Sequence, residues 1–464
     1  MDAKRLPLAV ATLGLAFAAL AAYGLNNLSA TFFSDEERAR IVQFWKGPNR
    51  FTVTTPKDFS AAPWQVRPSS DASRWLWNYR NKQGISKLPA KDLILGTAEQ
   101  KLKWKEWIGQ KTAWDSYSAQ IEAALKNKVP CSVAPPPDPG PAPDDLIAWA
   151  GEPPAFLKAV QPRLYLVRFE DITISSQDNP PLRADNPYYR NENGVMSGGT
   201  PVRSLDPLQF SELCLKAGLD QSARKIISAV SSLEGGFDSI NTYDTGFVSV
   251  GVIQFACLSG GSGSLGQVLL AEKNKAPEAF EMDFRRYGIE VDALGVLCAL
   301  DPLTGEELHG IDAARRIIDD KRLSSIFQRA GRLSQSFQVA QLRVAYDLYS
   351  AENEWIDLSF DDNPVRIRAK DLFPSEAWLA TLMDRKVNTG KIEPIPGMLR
   401  DFIKEKELHA VDELRALELD VLIRLQFRKD FTLEKTLTQP QNLANRKAQP
   451  PSRGGDRSST TGGD

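Results

Sequence analysis

The stretch SLEGGFDSINTYDTGFVSVGVIQF, Ser232 to Phe255, is the one conspicuous non-helical patch in a region, residues 205 to 435, that otherwise reads as helical. Just before it, Asp220 caps a helix carrying Ala223, Ile226, Ile227, Val230 and Leu233 on one stripe. Glu234 ends that helix, because Gly235 and Gly236 follow it and paired glycines terminate helices. Its offsets of four, seven and eleven from Val230, Ile227 and Ala223 put it on the apolar stripe. A carboxyl there loses water, which favours the protonated form that a general acid needs.

Beyond the glycines, Tyr243, Asp244, Thr245 and Gly246 have hairpin-turn chemistry, and Phe247 to Phe255 reads as an extended strand. Asp244 follows Glu234 by ten residues and Ser249 comes five later. A hairpin folded back across the helix end presents both towards the Glu234 carboxyl. A protonated acid facing a carboxylate is the pair that glycoside hydrolysis uses.

The surroundings are helical. Asp206 and Pro207 open a helix that Gly218 stops, and further helices are expected over 320–351, 375–387 and 398–428. SGGSGSLG, Ser259 to Gly266, lacks the lysine of a phosphate-cradling loop and reads as a flexible loop. LATLMDRKVNTG, Leu379 to Gly390, reads as a helix stopped at Asn388 and Gly390, with Asp384 facing solvent.

Towards the N-terminus, Ser34 to Glu37 and Thr97 to Gln100 read as capping boxes within a helical, Trp-rich unit over 34–128. Seven of the ten tryptophans fall between Trp45 and Trp114, at helical spacing that suits a small core better than a sugar platform. A Pro-rich linker is expected at 129–145, and a small β-containing segment at 146–204, with strands in RLYLVRFEDITIS, Arg163 to Ser175. Residues 436–464 have a disordered composition. At the start, Lys4 and Arg5 precede an uncharged run from Leu6 to Leu25, so residues 1–25 read as a signal peptide or a retained membrane anchor. Either outcome places the chain in the periplasm or outside the cell, free or held at the inner membrane.

With 464 residues, the chain is too long for one ordinary core. A net charge of −2 argues against a nucleic-acid partner. Four cysteines without C-x-x-C spacing make no disulfide framework, leaving at most one bridge in the last domain. Only His309 and His409 are present, and both read as surface residues, which disfavours zinc peptidases and Ser or Cys hydrolases. Carboxylate chemistry with no metal and no cofactor fits this inventory.

Glu234, Asp244, Ser249 and Gly251 resemble the phage-type lysozymes of the lysozyme-like superfamily. There a helix-end glutamate is followed by a hairpin aspartate, a threonine, and a glycine two residues later. This chain has serine at the threonine position and one extra residue between Glu234 and Asp244. Gly251 to Phe255 also resembles the glycine-and-glutamine segment of lytic transglycosylases, and chitosanase-like members share the plan. Leu379 to Gly390 resembles the Asn-x-Gly helix beneath the phage lysozyme site.

The resemblance implies a mainly α fold with a small β-hairpin: a lysozyme-like catalytic domain at 205–435, preceded by the helical unit and the β-containing segment. It implies cleavage of β-1,4 bonds in peptidoglycan or a chitosan-like polysaccharide. Glu234 would be the acid, Asp244 would orient water or stabilise the cationic sugar, and Ser249 would hold that water. Tyr243, Gln254 and Asn388 would contact substrate. A lytic transglycosylase using Glu234 alone and a non-catalytic glycan-binding envelope protein are the alternatives.

Overall fold

The structure, a computed structural model, describes residues 31–54, 64–82, 97–178, 191–425 and 427–441. The expected signal or anchor at 1–25 and the residues beyond 441 lie outside these. The described chain is mainly helical with five small sheets. Among the described residues no helix is long and apolar enough to cross a membrane.

Both expected capping boxes form, at Ser34 ahead of helix Asp35–Lys46 and at Thr97 ahead of helix Ala98–Asn127. The tryptophans divide, however. Trp75, Trp104 and Trp107 bury against Tyr79, Leu146 and Phe156 in a core of their own. Trp45 instead joins the large core of the C-terminal region, and its indole Nε1 donates to Tyr287 O at 2.9 Å. The residues from 34 to 128 are therefore not one unit. Ile41 and Trp45 lie on one helical stripe, and the strand after them, β1 (Phe51–Thr54), joins a different sheet from β2 (Gln65–Pro68).

The Pro-rich run has no regular hydrogen bonding, as its composition requires, yet it does not separate two domains. Beyond it, β3 (Leu157–Val160) returns to pair antiparallel with β2, Gln65 opposite Val160. Gly140 O accepts from Trp107 Nε1, so the run folds over the tryptophan core. The expected strands at Arg163 to Ser175 form as β4 (Leu164–Arg168) and β5 (Thr173–Gln177), which pair antiparallel, with β1 on the other side of β4.

The sheet that positions the site has the order β6 (Met196–Ser197), β7 (Ile240–Asn241), β8 (Ser249–Val250) and β9 (Phe255–Ala256). The expected continuous strand from Phe247 to Phe255 is broken. Gly251 (φ 86°) and Gln254 (φ 54°) turn the chain between β8 and β9. The glycines of SGGSGSLG do not make a flexible loop either. Helix Gly263–Lys275 begins inside the run, and a Cβ on Gly266 would lie 1.9 Å from Gly295 O. These glycines permit backbone to meet backbone.

A second sheet, β10 (Ile289–Val291), β11 (Leu297–Leu300) and β12 (Glu307–His309), precedes helices Gly310–Asp319, Lys321–Leu333 and Gln335–Tyr349. The hairpin β13 (Trp355–Phe360) and β14 (Asn363–Arg368) leads to helix Glu376–Thr389, closed by Gly390 in the left-handed region. The first residues of the expected disordered tail are packed: Leu437 is buried, and Thr438 N donates to Glu376 Oε2 at 2.7 Å. All four cysteines are free, so the single bridge allowed in the last domain does not form.

Candidate active site

Asp220 caps helix Gln221–Ser231 by accepting from Ala223 N at 2.8 Å, and Ala223, Ile227 and Val230 bury as their spacing dictates. The helix stops at Ser231, and Glu234 stands in the turn that follows. Its side chain is 12% exposed. The paired glycines after it are required by crowding. A Cβ on Gly236 would lie 1.8 Å from Thr200 O, and one on Gly235 would lie 2.6 Å from Ser239 Cβ.

A buried polar network ties this turn to the hairpin. Ser239 Oγ donates to Gly251 O at 2.8 Å, and Gln254 Nε2 donates to Ser239 Oγ at 2.7 Å. From helix Gln335–Tyr349, Gln341 Nε2 donates to Phe237 O at 3.0 Å while its Oε1 accepts from Val252 N at 3.1 Å. Asp238 carries the turn on its other side, pairing with Arg332 and accepting from Thr200 N. Satisfied networks of this kind fix one backbone arrangement. Gln254 thus serves the scaffold rather than an open surface.

Asp244 and Ser249 come together at the hairpin. A Cβ on Gly246 would lie 2.4 Å from Ser249 Oγ and 3.1 Å from Asp244 Oδ1. Asp244 Oδ1 accepts from Gly246 N at 2.8 Å, and Oδ2 accepts from Asn241 Nδ2 at 2.7 Å. Burial pushes the Asp244 carboxyl above its ordinary pKa, outweighing those two hydrogen bonds. Asn241 lies directly opposite Ser249 across the β7–β8 pair. Tyr243 is held through its backbone, its N donating to Asn241 Oδ1 and its O accepting from Asn191 N.

Glu234 meets a different group. Arg428 Nη2 lies 2.5 Å from Glu234 Oε1, and the same guanidinium pairs with Asp384, its Nε 3.0 Å from Oδ1. Asp384 is buried at 2% exposure, not solvent-facing as its sequence position suggested. Asn388, one turn further on, is exposed near the helix end. Burial alone would lower the pKa of Arg428, but the two carboxylates more than offset it and raise it. A guanidinium at this distance gives Glu234 an ionic partner that its stripe position did not suggest. Arg428 and Asn241 carried no recognisable sequence signal.

Compared with protein-family models, curated proteins and solved structures, the chain gives no match. Chemistry must therefore be read from the side chains alone. A crevice lies against the N-terminal half of helix Gln221–Ser231 and an open groove adjoins it at the end of helix Gln335–Tyr349, and neither lining includes Glu234, Asp244 or Ser249.

Among the described residues, one cluster has ligand types for a metal: Cys298, Glu307 and His309. Glu307 already accepts from Phe32 N at 2.9 Å, Phe33 N at 3.2 Å and Arg38 Nη2 at 2.8 Å, and pairs with His309 Nε2 at 3.1 Å. Burial, reinforced by Glu307, pushes the Cys298 thiol well above its usual range, away from the thiolate that binds metals. The cluster is a clamp on the N-terminal segment. His309 is therefore partly enclosed, whereas His409 is exposed and paired with Asp361.

Proposed function

We propose that this chain is an exported bacterial glycan-cleaving enzyme of lysozyme-like type, acting on β-1,4 bonds of peptidoglycan or a related amino-sugar polysaccharide. The observation that carries the reading is the placement of Glu234. It is a nearly buried carboxyl at a helix end, on a turn locked by Ser239, Gln254 and Gln341, with a cation as its partner.

Arg428 has a second carboxylate in Asp384, so it can leave Glu234 without losing all ionic partners. A sugar displacing it would desolvate Glu234 and favour proton uptake. Glu234 then protonates the leaving oxygen, while Asp244 orients the water that completes hydrolysis or stabilises the cationic sugar, and Ser249 helps hold that water. No cofactor enters this chemistry.

One observation favours the lytic transglycosylase as a second reading. Both Asp244 oxygens are engaged in shaping their own turn, and transglycosylation needs no second carboxylate because a substrate hydroxyl replaces water. Zymography on peptidoglycan with wild type and Glu234→Gln tests the shared core of both readings. Clearing by the wild type and none by the variant supports it. Clearing by neither makes the chain a non-catalytic glycan binder. Export is tested by a periplasm-only reporter fused after residue 25.

A further inference from the structure

We infer that the groove between the end of helix Gln335–Tyr349 and the start of β13 is a second saccharide site, separate from Glu234, that takes an N-acetylated amino sugar. The inference rests on the glycan reading above and extends it to a part of the surface that reading leaves unused.

The larger cavity there has a volume of about 540 Å³, within the range of sites that hold small ligands. Its walls are mainly polar, with Asp347, Glu352, Asn353, Arg366 and Lys386 among them. Such walls suit hydroxyls and exclude an apolar ligand. Several of the polar groups are fixed in advance. Lys386 Nζ donates to Ser350 O at 3.1 Å and pairs with Glu354 at 2.6 Å, while Tyr346 OH donates to Glu352 Oε1 at 2.8 Å.

Trp355 lines the same cavity and is 49% exposed, on the solvent side of β13. An indole left in water is costly unless something covers it. The guanidinium groups of Arg366 and Arg368 lie 5.3 and 5.4 Å from its ring and hold it in place. A fixed, flat, half-exposed ring beside hydrogen-bonding walls matches the two faces of a pyranose: an apolar C–H face and an edge of hydroxyls.

The acetyl group is assigned by the second cavity. A crevice of about 20 Å³ shares Tyr346, Ser350 and Glu352 with the groove, and Ile226, Leu379 and Met383 make its apolar floor. That volume holds one water-sized group, with Ala223, Ile226, Leu379 and Met383 offering apolar contact and Ser222, Ser350 and Glu352 supplying the polar part of the lining. A methyl fits both conditions, so the crevice distinguishes an N-acetyl group from a free amine. The crevice is lined by Ala223, whereas Glu234 follows Ser231. Roughly 12 Å of helix axis separates the two ends, so the groove would grip another part of the strand being cut.

The test is calorimetric titration of full-length Glu234→Gln protein with the N-acetylglucosamine tetrasaccharide and its fully deacetylated counterpart. The acetylated sugar should bind at least tenfold more tightly than the deacetylated one. Adding Trp355→Ala should weaken that binding tenfold or more with the melting temperature unchanged, and Trp355→Phe should restore part of it. Equal binding of the two sugars, or binding indifferent to Trp355→Ala, overturns the assignment. Peptidoglycan clearing by wild type, scored separately, shows whether the Glu234 reading stands when the groove does not.

Discussion

Arg428 Nη2 and Glu234 Oε1 are 2.5 Å apart although 194 residues separate them in sequence, and the same guanidinium serves the buried Asp384. The site is therefore a triad in which one guanidinium contacts two carboxyl groups.

Arg428→Ala should act on both partners. Without the cation, the Glu234 carboxyl loses the contact that orients it, so kcat/KM should fall. Asp384 loses its cation while buried, at a cost to folding of about 2 kcal/mol. Arg428→Lys should keep part of that activity. Denaturant unfolding and kcat/KM of the two variants check both effects.

Glu234→Gln should abolish cleavage and leave folding within about 1 kcal/mol of wild type, because the amide keeps the shape but has no acidic proton to donate. Retention of more than roughly a tenth of the activity would remove Glu234 from the role of acid.

For Asp244→Asn, turnover should fall by roughly two orders of magnitude, with wild-type products carrying ordinary reducing ends. Mass spectrometry of a peptidoglycan digest decides. Anhydro ends, lighter by one water, would assign Asp244 to the turn with Asn241 and Gly246 and leave Glu234 as sole acid.

Gly251→Ala should be among the most damaging small substitutions in the chain. Gly251 has φ 86°, and a Cβ there would lie 2.1 Å from Gln341 Oε1, the oxygen that accepts from Val252 N. A loss of about 2–3 kcal/mol is expected from strain and the displaced amide together, measured by thermal or denaturant unfolding.

A large stability change with pH should come from the core. Burial, with Asp283 beside it, pushes the Glu272 carboxyl up to about 9. A raised carboxyl holds its proton more tightly in the folded state, so its stabilisation is complete below its ordinary pKa of 4.5 and is lost as pH rises through about 9. Glu272→Gln should therefore melt higher than wild type at pH 9 and differ little at pH 5.

Much of this site was legible because its signals are local. The Asp220 cap, the 223–227–230 stripe, the double glycine and the Tyr243–Gly246 turn each depend on neighbours within a few residues, and each forms. Gly251 was read as strand because Val252 and Ile253 around it are β-branched, whereas its freedom at positive φ makes a turn there. Asp384 was misread for another reason. Helical periodicity gives the face a residue occupies, but not which distant segment covers that face, and here Arg428 does. Trp45 failed in the same way, since its spacing matched the other tryptophans while its partners, Phe169 and Tyr287, come from elsewhere in the chain.

The grip of Glu307 on Phe32 N and Phe33 N sets how far this protein can work from whatever holds its beginning. Six residues lie between Leu25 and Phe32, a leash of roughly 20 Å at full stretch. The Pro-rich run cannot lengthen it, because β2 and β3 on either side of that run are paired with each other. If the first 25 residues stay in a bilayer, the folded body rides directly on the lipid surface. Its working zone is then a thin shell next to the membrane, and for the glycan-cleaving role proposed above only the innermost part of a wall is within reach.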